Sequence, residues 1–335
     1  MENLTELKNT LIKELGSENK NNQFIIKTAN EWIEDAKARP KPKMLFGELW
    51  FENEVCILFA DTNLGKSILA VQAGESIASG KSTCGLKNEV EAQKVLYFDF
   101  ELSDKQFENR YSNDYKEHYQ FPPNFIRAEI NDEYMCNNNI DFEKEFIKSL
   151  ETTIIEQNIR VIIIDNLTYL KNETEKAKDA LSLMKELKAL KNKHNLSILI
   201  LAHTPKRDSS KPLTKNDLSG SKMLINFCDS AIAIGESASK KGFKYIKQIK
   251  QRNTEQCYGA DNVILCEIEK NNSFLQFSCM DFGNEYEHLK TIEIASKEDR
   301  DDLILQLHNQ GKNNVAIAEE LKISEGTVRN VLKKF

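Results

Sequence analysis

The spacing of hydrophobic positions changes along the chain, and each change marks a new kind of element. Leucine and isoleucine recur at helical spacing over residues 4–15, and Gly16 is expected to end that helix. A second helix is predicted at Thr28–Lys37, before the prolines of Arg39–Pro42 break the chain. Residues 1–42 are therefore predicted to form a helical N-terminal segment.

From residue 54, short apolar runs alternate with amphipathic helices. The predicted strands are Glu54–Phe59, Lys94–Phe100, Val161–Asp165 and Leu196–Ala202, and the helices are Lys66–Ser79, Asp104–Tyr111, Asp141–Gln157 and Lys176–Lys193. Continuous apolar strands separated by helices are typical of a mostly parallel sheet covered on both faces. Four later strands are predicted at Ser230–Ile234, Lys244–Gln251, Asn262–Glu269 and Phe274–Met280. Short turns join them, so the α/β core is expected to end in antiparallel hairpins.

The last part of the chain forms a small all-α unit in this prediction. Short helices are expected at Asp301–Asn309, Asn314–Leu321 and Thr327–Phe335, and Ser324 is a suitable N-cap for the last of them. The predicted domains are therefore residues 1–42, 43–290 and 297–335.

Composition narrows the class of protein. Hydrophobic residues make up 40% of the 335 residues, and 52 acidic against 46 basic side chains give a net charge of −6. This balance excludes a uniformly basic nucleic-acid coat protein, although local basic surfaces remain open. No apolar run approaches the roughly 18–20 residues of a membrane span, and residues 1–13 lack a secretory segment. The seven cysteines form no C-x-x-C pair, so we expect buried thiols in a cytoplasmic protein and no zinc site.

Residues 60–67 read Ala-Asp-Thr-Asn-Leu-Gly-Lys-Ser and match the phosphate-binding pattern G-x-x-x-x-G-K-[ST] at every defined position except Ala60. In this pattern Gly65 lets the backbone fold around phosphate, Lys66 reaches the β- and γ-phosphates, and the Ser67 hydroxyl holds Mg²⁺. The predicted strand before the loop and helix after it supply the required context. The candidate nucleotide-binding residues are Ala60, Asp61, Thr62, Asn63, Leu64, Gly65, Lys66, Ser67 and Ile68.

Two predicted strands end in carboxylates. Asp165 closes a buried strand and is the candidate second Mg²⁺ ligand, although an aspartate that merely caps the strand end is the alternative. Glu101 follows the preceding strand and is the candidate base that deprotonates the attacking water. Asp99 lies two residues earlier on the same side of the strand and competes for that role.

These motifs carry a family resemblance. The order of phosphate loop, strand ending in Glu101 and strand ending in Asp165 resembles RecA-fold ATPases rather than AAA+ proteins or small GTPases. The stretch "YFDFELS" followed by Arg110 resembles RepA-type and DnaB-type hexameric replicative helicases. The resemblance spans about residues 45–270. It implies a RecA-like P-loop NTPase domain that uses ATP and Mg²⁺, with Glu101 as the catalytic base.

The resemblance also implies roles for the next strand and the loop after it. His203 follows that strand, where a histidine or glutamine senses the γ-phosphate; an ordinary surface histidine is the alternative. Residues 204–222 carry five lysines or arginines and two aspartates. Such a loop faces the central pore and single-stranded DNA in these helicases, whereas a solvated loop is the alternative. The candidate DNA-binding residues are Lys206, Arg207, Lys211 and Lys215.

A further motif, Lys-Gln-Arg-Asn at residues 250–253, resembles the strand end from which DnaB-type proteins reach a neighbouring subunit's nucleotide. By this resemblance Lys250 and Arg252 act in trans on the transferring phosphoryl group, so the protein is expected to be a homo-oligomer, with a hexamer favoured. An exposed pair of edge-strand charges that deters aggregation is the alternative.

The C-terminal helices resemble the helix-turn-helix of sigma-factor-like and resolvase-like domains. The resemblance makes residues 325–335 a recognition helix that could contact duplex DNA, and its candidate contacts are Thr327, Arg329, Asn330 and Lys333. Docking of a subunit or partner is the alternative use.

The function expected from the sequence is a DNA-associated ATPase of the oligomeric helicase or translocase type. An ATP-switched regulatory or recombinase-like ATPase of the RadA or KaiC kind, without unwinding activity, is the main alternative. A DNA-binding adaptor with vestigial nucleotide binding is a third class, which the complete catalytic set disfavours.

Overall fold

The computed structural model describes residues 24–131, 133–134, 142–166, 177–205, 207–218, 222–290, 297–321 and 323–333. Residues 1–42 and 43–335 are two separate compact units. In the first unit, helix α1 (Ala29–Lys37) begins at Thr28, whose side chain accepts a hydrogen bond from the backbone of Glu31. The helix predicted at residues 4–15 lies outside the described residues.

The described part of the second unit contains eleven strands and eight α-helices. The strands are β1 Val55–Ala60, β2 Val95–Asp99, β3 Ser112–Asn113, β4 Glu117–His118, β5 Phe125–Ala128, β6 Val161–Asp165, β7 Ser197–His203, β8 Ser230–Glu236, β9 Lys244–Lys250, β10 Val263–Asn271 and β11 Phe274–Gly283. The helices are α2 Lys66–Ser79, α3 Asp104–Arg110, α4 Phe142–Gln157, α5 Ala177–His194, α6 Lys222–Phe227, α7 Lys297–Asn309, α8 Asn314–Leu321 and α9 Glu325–Leu332.

Nine of these strands form one sheet in the order β11-β10-β9-β8-β1-β7-β6-β2-β5. The six strands from β8 to β5 are parallel, and β9, β10 and β11 extend the sheet by antiparallel pairing. The predicted α/β class with a mostly parallel sheet is confirmed. All carboxyl ends of the parallel strands meet at one edge, which is where ligands bind in open α/β sheets.

The strands that the sequence predicts are present, with ends that agree within three residues. The structure adds β5 and the small hairpin β3–β4, which the sequence analysis missed. Residues Phe125–Ala128 are all half-buried, because β5 pairs with a neighbour on one side only. A short edge strand of this kind lacks the continuous apolar run that revealed the central strands.

The sheet is covered on both faces by apolar side chains. One cluster joins α2 and the β10–β11 hairpin to the sheet, and the other joins α4 and α5 to the opposite face. On the first face, the Gln72 side chain accepts a hydrogen bond from the backbone N–H of Phe277 and donates one to its carbonyl. The hairpin is thereby fixed against the helix that follows the phosphate loop.

A disulfide joins Cys84, in the turn after α2, to Cys279 on β11. The prediction of free buried thiols is wrong for these two cysteines. It holds for Cys56, Cys228 and Cys266, while Cys257 is exposed. The two bonded cysteines are 195 residues apart in sequence, and only the packing of the hairpin against α2 brings them together.

The C-terminal helices α7, α8 and α9 enclose a core of their own. Its fully buried members are Ile304, Leu307, Ile317, Ala318, Leu321, Val328 and Val331. Ser324 is the N-cap of α9, and its hydroxyl accepts the backbone N–H of Thr327 at 3.2 Å, as the sequence predicts. Among the described residues, no helix is both long and apolar enough to cross a bilayer.

Candidate functional site

The phosphate loop connects the end of β1 to the start of α2. Asn63 and Gly65 have φ angles of +62° and +90°, which turn the loop back toward the helix. A Cβ at Gly65 would also lie 2.6 Å from the Ile268 side chain and 2.9 Å from that of Phe277. Glycine is therefore required here both by the backbone conformation and by the β10–β11 hairpin packed against the loop.

A cavity of about 140 Å³ lies over this loop. It is lined by Thr62, Asn63, Gly65, Lys66, Ser67, Ile68, Glu101, Arg110 and His203. Six of the nine predicted nucleotide-binding residues thus line the cavity, and Ala60, Asp61 and Leu64 lie outside its lining. Ala60, which stands where the motif has its first glycine, is the fully buried last residue of β1. The departure from the motif therefore lies at a position that does not line the cavity.

The ammonium group of Lys66 bends back over the loop. Its Nζ donates to the carbonyls of Ala60 at 3.0 Å and Asp61 at 3.1 Å. Burial lowers the pKa of Lys66, and the nearby carboxylates of Asp165 and Glu101 oppose this effect. A buried ammonium beside a cavity is suited to bind the negative charge of a polyphosphate.

Asp165 lies at the end of β6, fully buried, and accepts a hydrogen bond from the Tyr97 hydroxyl at 2.8 Å. Burial raises the pKa of Asp165 to about 6, although the hydrogen bonds from Ser67 and Tyr97 lower it. The Ser67 hydroxyl and the Asp165 carboxylate are in contact, and both are hard oxygen donors of the kind that Mg²⁺ prefers. These residues fit the Mg²⁺ site implied by the phosphate loop.

The raised pKa of Asp165 predicts how its replacement affects stability. Asp165→Asn is expected to increase the free energy of unfolding at pH 7 by up to about 3 kcal/mol, because the amide avoids burying a charge. Since the folded-state pKa is raised, the charge costs stability above pH 6 and costs none below about pH 4. The gain should therefore disappear at low pH. Urea unfolding of nucleotide-free protein across this range measures it.

Asp261→Asn, at an exposed aspartate, is the matched control and should leave stability unchanged at both pH values. A gain of the same size at pH 4 and pH 7 would contradict a charge-burial origin.

The structure separates the two candidate bases, Asp99 and Glu101. The Asp99 carboxylate is buried and accepts hydrogen bonds from the backbone N–H groups of Glu101 and Leu102 and from the Arg127 guanidinium. These three donors occupy its oxygens and shape the turn after β2. Glu101 lines the cavity, whereas Asp99 does not.

Glu101 and His203 meet at the carboxyl edge of the sheet. His203 Nε2 lies 3.2 Å from Glu101 Oε1, and the side-chain amide of Asn166 contacts both. His203 is paired with Ala60 across β7 and β1, which places it directly beside the phosphate loop. The two residues, which are 102 positions apart in sequence, are thus brought to one cavity by strand order alone.

Arg110 is a site residue to which the sequence analysis gave no role. It lies in the last turn of α3 and lines the cavity, and its Nη1 is buried without a hydrogen-bond partner among the described residues. A guanidinium with an unused donor beside the phosphate loop is suited to a phosphate oxygen. Its position nine residues after Glu101 was visible in the sequence, but its direction depends on how α3 packs.

Lys250 and Arg252 lie at the opposite edge of the sheet from the cavity. Arg252 is half-exposed and its guanidinium binds Asp229 at 3.0 Å, while Asp229 also accepts the backbone N–H of Val55 at the start of β1. Lys250 Nζ instead donates to two carbonyls at the end of α6, at 2.5 and 2.7 Å, and burial lowers its pKa. Lys250 is therefore held by backbone carbonyls of its own chain, whereas Arg252 is at the surface in an ion pair with Asp229.

The basic loop after β7 presents only part of its predicted charge. Arg207 is half-buried, and its guanidinium donates to the Lys211 carbonyl at 2.9 Å and contacts the Tyr245 hydroxyl, so it is held against the protein. Lys211 and Lys215 are exposed. Lys206 lies outside the described residues.

A buried ion pair holds the middle of this loop. Glu285 accepts the backbone N–H of Leu213 at 2.7 Å and pairs with Lys247 of β9, and Lys247 donates to the Leu213 carbonyl at 2.8 Å. Glu285 is fully buried, and the Lys247 side chain is 8% exposed. No local pattern in the sequence predicts this clamp, because its members lie 34 and 38 positions apart on separate elements.

On the C-terminal unit, three of the four predicted DNA-binding residues of α9 are exposed. These are Arg329, Asn330 and Lys333. Arg329 pairs with Glu325 one turn earlier at 2.7 Å. Thr327 is half-buried, and its hydroxyl lies 2.9 Å from that of the capping Ser324. The exposed candidate surface of α9 therefore consists of Arg329, Asn330 and Lys333, the residue that caps the helix.

One family model matches the part of the chain that contains this site. Residues 23–209 match the family model described as AAA domain, which spans more than half of the chain and includes the phosphate loop, Glu101, Asp165 and His203. The chain belongs to the AAA domain family. No curated protein matches it.

A second family model matches the C-terminal helices of this AAA domain protein. Residues 299–335 match the model described as bacterial regulatory proteins, luxR family, which covers α7, α8 and α9. The chain thus joins a P-loop ATPase-type domain to a helix-turn-helix of a DNA-binding type. This is the coarse organisation that the sequence analysis predicted, although that analysis favoured RecA-fold helicases over AAA+ proteins and named a different helix-turn-helix group.

Proposed function

We propose that this protein is a Mg²⁺-dependent ATPase that assembles into a homo-oligomer, with a hexamer favoured, and moves along or unwinds DNA. The observation that carries the proposal is the placement of charged groups at opposite edges of one sheet. The cavity lined by Lys66 and Glu101 lies at the carboxyl edge, as does Asp165, which contacts the cavity residue Ser67, and Arg252 lies at the amino edge. Because β1 spans about 17 Å between them, Arg252 is too far away to complete its own cavity.

The residues of the nucleotide site within one subunit divide into those that bind ATP and those that act in its hydrolysis. The loop backbone, Lys66 and Arg110 bind the phosphates, and Ser67 and Asp165 would hold Mg²⁺, which supplies charge neutralisation between the phosphates when bound. Glu101 orients the attacking water and accepts its proton, and His203 senses the γ-phosphate. Hydrolysis then needs a positive charge near the transferring group, which Arg252 of an adjacent subunit provides.

The DNA contacts are proposed on two surfaces. Lys211 and Lys215 on the basic loop would contact the phosphates of single-stranded DNA, and Arg207 has a smaller role because its guanidinium is held against the protein. The exposed face of α9, with Arg329, Asn330 and Lys333, would contact duplex DNA. Phosphate contacts of this kind are strongly salt-dependent.

A second candidate function is an ATP-switched regulator that binds duplex DNA and does not unwind it. The luxR-type match at residues 299–335 favours it. In that function, nucleotide binding controls assembly, and hydrolysis resets it.

One set of measurements separates the two functions. The motor predicts that single-stranded DNA stimulates ATP hydrolysis and that a forked duplex is unwound in an ATP-dependent reaction. The regulator predicts duplex binding that depends on ATP, with neither stimulation nor strand displacement. An absence of ATP hydrolysis under all these conditions would contradict both.

A further inference from the structure

The side chain of Asn166 contacts two of the residues that line the cavity, Glu101 and His203. Asn166 directly follows Asp165 at the end of β6 and is 5% exposed. Its Nδ2 donates to Glu101 Oε1 and lies 3.1 Å from His203 Nε2, while His203 Nε2 and Glu101 Oε1 are 3.2 Å apart. One amide nitrogen therefore bridges the proposed base and the proposed γ-phosphate sensor.

The contacts among the three groups restrict where the protons can lie. An amide nitrogen carries two hydrogens, and both neighbours of Nδ2 must accept if both contacts are hydrogen bonds. Glu101 accepts as a carboxylate, and His203 accepts through a bare Nε2. The single proton of the neutral imidazole is then on Nδ1.

This tautomer gives His203 an unused donor. Its Nδ1 is buried and has no hydrogen-bond partner in the part of the chain that the structure describes. His203 also lines the phosphate cavity. A buried N–H without a partner is costly, so a γ-phosphate oxygen that accepted it would satisfy the imidazole.

Without the amide, His203 and Glu101 would meet directly. Two acceptors 3.2 Å apart repel each other, and the imidazole would relieve this by moving its proton to Nε2 and donating to Glu101. That hydrogen bond would occupy the base and remove the Nδ1 donor at the same time. Asn166 therefore keeps both groups in the form that hydrolysis needs.

We propose that Asn166 is a positioning residue, which orients the Glu101 carboxylate and sets the His203 tautomer for contact with the γ-phosphate. The proposal rests on the proposed function, because it takes Glu101 as the base. Asn166→Leu tests it, since leucine has nearly the shape of asparagine, lacks its two donors and adds no charge.

In Asn166→Leu, kcat for ATP hydrolysis is expected to fall about 10–100-fold, while KM for ATP and affinity for a non-hydrolysable ATP analogue stay within about threefold. The unfolding midpoint should stay close to that of the native protein, because leucine buries no charge and leaves no unpaired polar group of its own. In a Glu101→Gln background the same change should add nothing, because the base through which it acts is gone. Asn271→Leu, at the exposed end of β10, is the control and should be silent.

The outcomes are distinguishable. A native kcat in Asn166→Leu beside an inactive Glu101→Gln enzyme overturns the role of Asn166 alone, as does a full additional loss in the double variant. Native turnover in Glu101→Gln overturns the assignment of the base, and with it both proposals.

Discussion

Glu101→Gln is expected to lower kcat for ATP hydrolysis by about 10²–10⁴-fold while leaving nucleotide binding within twofold. The glutamine side chain fills the same space but accepts no proton from water. Glu101 lines the cavity without helping to hold the phosphate loop, so ATP should still bind. Single-turnover hydrolysis and titration with a fluorescent ATP analogue measure the two effects separately.

Glu129→Gln is the matched control for this variant. Glu129 lies near the same edge of the sheet, one residue after β5, where it pairs with Arg127 and does not line the cavity. Its replacement should leave kcat unchanged. If Glu101→Gln retained native turnover, the base would have to be sought elsewhere, and Asp99 would be a poor substitute because three donors already surround its carboxylate.

Arg252→Ala is expected to reduce ATP hydrolysis by about 10³–10⁵-fold, which is the contribution of an arginine that completes a phosphoryl-transfer site in trans. The isolated subunit should still bind ATP, because Arg252 lies at the far edge of its sheet. Arg160→Ala is the control, since Arg160 is an exposed arginine at the same edge, just before β6. Steady-state ATPase rates measure both.

Mixing two inactive variants tests the trans arrangement directly. Arg252→Ala subunits keep Glu101, and Glu101→Gln subunits keep Arg252, so a mixed oligomer contains interfaces at which both groups are intact. ATPase activity is therefore expected to reappear on mixing. If Arg252 acted within its own subunit, no interface would be complete and the mixture would stay inactive.

The parts of the fold that were predictable are those in which the signal is local. The phosphate loop, α2 and the buried strands β6 and β7 each carry their pattern within a few residues, because spacing and burial follow one element at a time. The order of motifs also placed Glu101 and Asp165 on separate strands. Their meeting at one edge follows from parallel pairing, which continuous apolar runs predict.

The parts that were missed depend on packing between distant elements. The Cys84–Cys279 disulfide exists because a hairpin from the end of the sheet covers α2, and no spacing rule reports that. The contact of Asn166 with Glu101 and His203 likewise requires three strand ends to converge. Charge counting also overstated the basic loop, since it treated Arg207 as equal to the exposed lysines.

The buried ion pair of Lys247 and Glu285 restricts how the basic loop can move. Pulling Leu213 out of the clamp would break its two hydrogen bonds to buried charged groups, at a cost of about 3–6 kcal/mol, although the ion pair itself would remain. Leu213 is therefore expected to stay fixed against β9 through small thermal displacements. A shift of Leu213 large enough to move Lys247 would act on β9, the strand that ends two residues before Arg252.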